Sequence, residues 1–155
     1  MDGMPKANEH HQKLQAFAGQ WTGNEILHPS LWSPTRREAT AQVTSRMDLD
    51  GFTLITDYVE EHNGQVTYRG HGVFGWDEPK KQYYLFWFDS MGFGEAIPAH
   101  GQWDGDTLSF QNQSPMGHGR YTYKSLGPNE YSFRLESSKD GKEWMTFMEG
   151  KYRRV

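Results

Sequence analysis

Twice in this chain a histidine stands between two glycines inside an aromatic, strand-like run, in YRGHGVFGW (Tyr68 to Trp76) and in PMGHGRYTY (Pro115 to Tyr123). Imidazole changes charge near neutral pH, so His71 and His118 are candidates for general acid–base work or for orienting an acyl or anionic group. Arg120, two residues beyond His118, fits the second role. Asp89 ends a further aromatic run, WFDSMG, where its carboxylate either ties a turn through the amides that follow or partners a histidine at the mouth of a cavity. His28 opens the segment HPSLWSPTRRE, which carries two prolines and the apolar pair Leu31-Trp32. Such a segment either folds back on the core or lines a mouth.

Other chemistries lack their signatures. Ser90 follows Asp89, but no nucleophile-elbow motif surrounds it. His10 and His11 are adjacent and point apart, and the remaining histidines are dispersed, so no metal is expected. Twenty acidic residues allow many carboxylate pairs, but spacing along the chain does not set the separation that glycoside chemistry needs. No glycine-rich phosphate loop precedes a helix. The absence of cysteine removes disulfides, thiolate nucleophiles and iron–sulfur ligation. A net charge of -4 argues against nucleic acid. With no run of 18 apolar residues and no secretory core near Met1, the reading is a soluble, cytoplasmic protein that uses no membrane. No cofactor is expected.

The elements that must position these residues are nearly all strands. Asn8 caps a short helix whose Leu14, Phe17 and Ala18 share one face, with Gly19 as its stop. Beyond it the hydrophobic period becomes two, interrupted by turn pairs such as Asp50-Gly51, Asn63-Gly64, Asp104-Gly105 and Asp140-Gly141. The pattern predicts strands over 20–27, 38–48, 52–61, 65–76, 82–90, 95–103, 106–113, 117–125, 130–137 and 143–153. Long sequential strands in an open sheet leave unpaired edges, which closure removes. The expectation is therefore an all-β fold, an up-and-down antiparallel β-barrel of about ten strands with a short N-terminal helix. A two-sheet sandwich is the alternative. Length gives a single domain over 1–155, with 1–7 flexible, and 9 Phe, 8 Tyr and 6 Trp give it an aromatic core.

Alternation assigns faces. Gly70 and Gly72 lie with Tyr68 and Phe74, and His71 lies opposite. Tyr131, Phe133 and Leu135 alternate with polar residues and point inward; by the same rule Tyr121 and Tyr123 face in and His118 and Arg120 face out, unless a bulge at Gly117 or Gly119 switches the register. Two readings stay open: the triplets are curvature devices with structural histidines, or the histidines and Arg120 form the polar end of an aromatic cavity. Trp87 and Asp89 share a side, Phe86 and Phe88 the other, so that strand is apolar on both faces.

Gly19-Gln20-Trp21-Thr22-Gly23, directly after the helix, resembles the GxW signature of the calycin superfamily, the lipocalins and fatty-acid-binding proteins. With LDGF, GHGVFGWD, YLFWFDSMGF, GxWxGDTL, GHGRYTY and SxDGxxWxxFMEGxYRR, the chain from about Leu14 to Arg154 is similar to a bacterial family catalogued as domain of unknown function 1579 and grouped with the calycins. The resemblance implies the barrel, with Trp21 plugging its base and Arg153 or Arg154 packed across the indole. It implies no activity. A haem-binding calycin branch extends the motif with further glycines and a late histidine, and this chain has neither.

The expected function is binding of a small, partly apolar molecule in the cavity. Trp32, Trp87, Tyr121, Tyr123, Phe133 and Met148 are the expected apolar contacts, and His28, His71, Asp89, His118 and Arg120 the polar ones. An enzyme with a histidine acid–base in the same cavity is the second reading. A module that assembles, as a homodimer for instance, through the doubly apolar strand is the third.

Overall fold

The computed structural model describes residues 3–31, 33–92 and 97–155. Ten antiparallel strands follow a short helix: α1 (Glu9–Gln12), β1 (Gly19–Leu27), β2 (Arg37–Asp48), β3 (Thr53–His62), β4 (Gln65–Asp77), β5 (Gln82–Asp89), β6 (Ala99–Asp104), β7 (Thr107–Ser114), β8 (Gly117–Ser125), β9 (Glu130–Ser138) and β10 (Met145–Arg154). Each pairs with its neighbour in sequence, and β1 pairs with β10, so the sheet closes into a barrel. The strands follow the spans expected from alternation to within two residues at each end, except that β6 begins at Ala99; residues 95 and 96 of the expected span lie outside the described residues. Against β5, β6 pairs only through Leu85↔Ala99, Tyr84↔His100 and Tyr83↔Gly101. No helix among the described residues is long and apolar enough to cross a membrane.

The helix is shorter than its apolar spacing suggests. After four α-helical residues the chain tightens into a 3-10 helix over Lys13–Phe17. Three residues per turn keep Leu14 and Phe17 eclipsed on one side, and both are buried where they enter the barrel. Asn8 supplies the expected cap, its side chain accepting from the His10 amide, while His11 Nδ1 lies 3.0 Å from the Asn8 amide to complete a capping box.

This plug closes one end, here called the base. Phe17 stacks on Trp103 and meets Tyr131 edge-on, and Trp21 meets Tyr131 in turn. Trp21 is 1% exposed and donates its indole N–H to the Phe17 carbonyl at 3.0 Å. Arg154 packs its guanidinium 4.2 Å over the Trp21 ring and donates to the carbonyls of Ala18 and Pro128, so one side chain ties the plug and the β8–β9 turn to the last strand. Of the two arginines the resemblance allowed, it is Arg154 that crosses the indole.

Loops at the other end, the mouth, include residues 28–31, 33–36, 63–64, 115–116 and 139–144. Leu31 is fully exposed instead of folding onto the core. Replacing Trp21 with Ala removes the plug's largest ring and is expected to cost about 3–5 kcal/mol, read as a lowered urea midpoint.

Candidate functional site

Strand alternation divides the expected site residues between two compartments. Gly70 and Gly72 face the interior, and a Cβ on either would run into the Trp87 indole. The glycines of the first triplet thus clear a seat for Trp87, which β5 brings directly opposite Gly72. His71, on the other face, places Nδ1 2.8 Å from Asp57 Oδ1, and Asp57 pairs with Arg46 at 3.6 Å. This exposed network lies along an outer depression of about 400 Å³ that also includes Arg69, Phe88 and Ser90. Phe88 is half-exposed there.

The second triplet sends its basic groups outward too. Arg120 holds Glu136 with two 2.9 Å hydrogen bonds and lies 4.1 Å under the Trp144 ring, which His118 approaches from the side. Trp144 belongs to the β9–β10 loop folded back over this outer face. His28 lies 3.5 Å from Glu149, again outside. Alternation through β8 is regular, with no bulge to turn His118 or Arg120 inward. The sheet therefore separates His28, His71, His118 and Arg120 from the aromatic wall they were expected to join. Trp32 lies outside the described residues.

Trp87, Asp89, Tyr121, Tyr123, Phe133 and Met148 share the interior. Asp89 accepts the Met91 amide at 3.0 Å and the Tyr68 hydroxyl at 2.7 Å, and Tyr68 accepts the Trp87 indole N–H at 2.7 Å. Asp89 therefore ties a turn, the first of its two readings, and also anchors an interior chain through a tyrosine, not through the histidine of the second reading. Tyr123 packs on Phe74 and Phe133, and Met148 lies with Leu27 and Ala39 in a small second cluster. Inward residues near the base, Trp21, Leu108, Phe110, Tyr131 and Tyr152, are at most 5% exposed. Tyr68, Trp87, Tyr121, Tyr123, Phe133 and Leu135 also point inward but keep accessible surface. Tyr121 and Tyr123 stand opposite Phe110 and Leu108 across β7 and β8, and Tyr123 also meets the plug at Phe17.

The interior also holds a polar group that the sequence reading does not mark. Glu25 faces inward and is 1% exposed. Its Oε2 lies 2.5 Å from the Tyr58 hydroxyl and takes a second hydrogen bond from Tyr152. Tyr58 in turn is 3.0 Å from Glu60 Oε2. Gly23 and Gly150 leave the room that the Tyr152 ring fills. Glu25 Oε1 is buried with no partner. Burial pushes the Glu25 carboxyl up to about 8, and Glu60 adds to the rise while the two tyrosine hydroxyls oppose it. A proton on Glu25 Oε2 satisfies the whole chain: Tyr152 donates to Glu25, Glu25 to Tyr58, and Tyr58 to Glu60. Burial likewise holds the Tyr58 and Tyr152 hydroxyls far above the ordinary phenol value. The available sequence signal is parity, since Glu25 stands four residues after Trp21 on the same inward face.

A family model described as "Protein of unknown function (DUF1579)" matches residues 6–154. The chain belongs to the DUF1579 family. Among solved structures, this DUF1579 barrel is similar to Rv2717c from M. tuberculosis, with TM-score 0.71 and 14% identity over 97% of this chain and 99% of the other. It is also similar to the S-type phycobiliprotein lyase CPES from Guillardia theta, with TM-score 0.63 and 9% identity over 97% and 98%. At these identities the likeness is one of fold. No curated protein sequence matches the chain.

The Glu25 proton makes stability depend on pH. An ordinary glutamate titrates at 4.5 and this one at about 8, so the unfolded chain loses the proton first. The contribution of Glu25 to stability is complete below about pH 4.5 and is lost as pH rises through 8. Urea unfolding from pH 5 to 8 is expected to show stability falling by up to about 1.4 kcal/mol per pH unit, with a flatter profile in Glu25→Gln.

Proposed function

We propose that this DUF1579 protein is a cytoplasmic binding protein that takes a small, partly apolar molecule into its barrel. The observation that carries the reading is an inward aromatic wall that is only partly buried. Trp87, Tyr121, Tyr123 and Phe133 face into the barrel and keep accessible surface although the sheet covers their backs. Apolar walls that converge with a few fixed polar groups are the usual make-up of a small-molecule site. Trp87, Tyr121, Tyr123, Phe133 and Met148 supply the walls, and Asp89 with Tyr68, together with Glu25 and Tyr58, supplies the polar contacts. A lyase with the same fold supports the use of such a barrel on small molecules at the level of architecture alone.

The catalytic reading through histidine has less support, because His71 and His118 sit on the far side of the sheet from the aromatic wall. Nile red, a neutral apolar dye, is expected to bind with a blue-shifted emission and to lose about tenfold in affinity in Trp87→Ala. Native mass spectrometry of the purified protein is expected to show a non-covalent adduct that denaturation removes. Dye binding indifferent to Trp87→Ala, with a clean apo mass, overturns the reading.

A further inference from the structure

Glu25 and Glu60 face each other across one tyrosine hydroxyl inside the barrel, and each is at least 92% buried. Such a pair ordinarily draws a basic partner. Among the described residues no Lys, Arg or His lies within ion-pair distance of either carboxyl; the basic groups that are paired, Arg120 and His28 among them, hold other acids. Arg37 shares the inward face of β2, but it stands opposite Leu27, a row nearer the mouth than Glu25, and its Nε is itself unpartnered. The remaining ionisable neighbours are phenols, Tyr58 on β3 and Tyr152 on β10, with Tyr131 behind Tyr152. Across the interior, Asp89 on β5 is already engaged by Tyr68 on β4. The region therefore holds an excess of acid and acceptor capacity, with Glu25 Oε1 as its open valence.

The walls beside it fit the same charge. Tyr58 meets Tyr68 and Trp87 edge to face, at 5.8 and 6.0 Å between ring centres. Electron-rich faces attract cations, and they do so more strongly away from water. A carboxylate or phosphate placed here meets two buried carboxyls, and the nearest inward base, Arg37, stands a row nearer the mouth. An ammonium meets an unpartnered oxygen and aromatic faces.

We propose that Glu25 and Glu60 form a subsite for an organic cation, the ammonium or amidinium group of a molecule whose remaining body is apolar and lies along Trp87 and Tyr121. This deepens the binding reading above and rests on it. The cation donates to Glu25 Oε1. The proton that satisfied the empty chain leaves Glu25 Oε2 for solvent, so that the Tyr58 hydroxyl turns to the new carboxylate. Binding is therefore accompanied by proton release, and affinity rises with pH until the amine itself loses its proton.

Isothermal titration with three matched probes tests this: phenethylamine, 2-phenylethanol and 3-phenylpropionate, against the wild type, Glu25→Gln and Glu60→Gln. Phenethylamine is expected to bind at least about tenfold more tightly than the alcohol or the acid. Titrations in buffers of different ionisation heats are expected to show release of about half to one proton per site near neutral pH. Glu25→Gln is expected to abolish proton release and the preference for the amine, and Glu60→Gln to weaken the preference, while the near-ultraviolet circular dichroism of both variants matches the wild type, which reports that the aromatic barrel is folded. The acid binding as tightly as the amine overturns the subsite, as does an amine preference that survives both substitutions. Nile red binding without any amine binding overturns it while the binding reading stands. Failure of Nile red and all three probes overturns both.

Discussion

Once ten strands close on themselves, an inward side chain has only other inward side chains and the plug for partners, because the ladders consume the backbone groups around it. The rest of this molecule is organised by that constraint. At the base it is met by aromatic packing around Trp21, whose one polar atom finds the Phe17 carbonyl. Toward the mouth it is met by polar chains instead: Tyr152, Glu25, Tyr58 and Glu60 form one, and Trp87, Tyr68 and Asp89 form another. Tyrosine suits both settings, since its ring packs like phenylalanine and its hydroxyl accepts from one partner while donating to another.

The thickness of one strand lets a short motif do two unrelated things. In β4 the glycines of Gly70-His71-Gly72 admit the Trp87 indole on the inside, while the histidine between them joins Asp57 and Arg46 on the outside. The outer network is solvent-exposed and contributes little to stability. The inner contact fixes the position of a wall residue. In β8 the pattern repeats in a different setting: Gly119 lies beside Tyr121 and Asn112, and His118 and Arg120 are roofed by Trp144.

Much of the architecture was legible because alternation and turn pairs are local signals. Asn63-Gly64 and Asp104-Gly105 mark their hairpins, and the aromatic parity of Tyr121, Tyr123 and Phe133 names the inward face. The same rule already placed His118 and Arg120 outside; the chemistry of their side chains argued the other way, and the regular register of β8 decides for parity. The Glu25 group was not legible, because it is assembled from β1, β3 and β10. Each member looks ordinary in its own strand: Glu25 reads as one of many acids, Tyr58 and Tyr152 as core aromatics. What brings them together is strand tilt and the closure of β1 on β10, which no window of sequence displays. The 3-10 tightening after α1 was hidden for a similar reason, since it answers to the width of the base that the segment plugs.

The pairing of β1 with β10 also governs how the molecule comes into being. Every other ladder joins neighbours in sequence, but this one joins Trp21 to Arg154 and Leu27 to Met148 across nearly the whole chain. Contacts of such separation lower folding rates, since the loop entropy is lost before the contact repays it. Until the last strand emerges from the ribosome, β1 and β9 each present a bare ladder to solvent and to other nascent chains. The final ten residues are therefore the ones whose loss turns a closed cylinder into a sheet with two adhesive margins, so aggregation during synthesis is the penalty for truncation at that end.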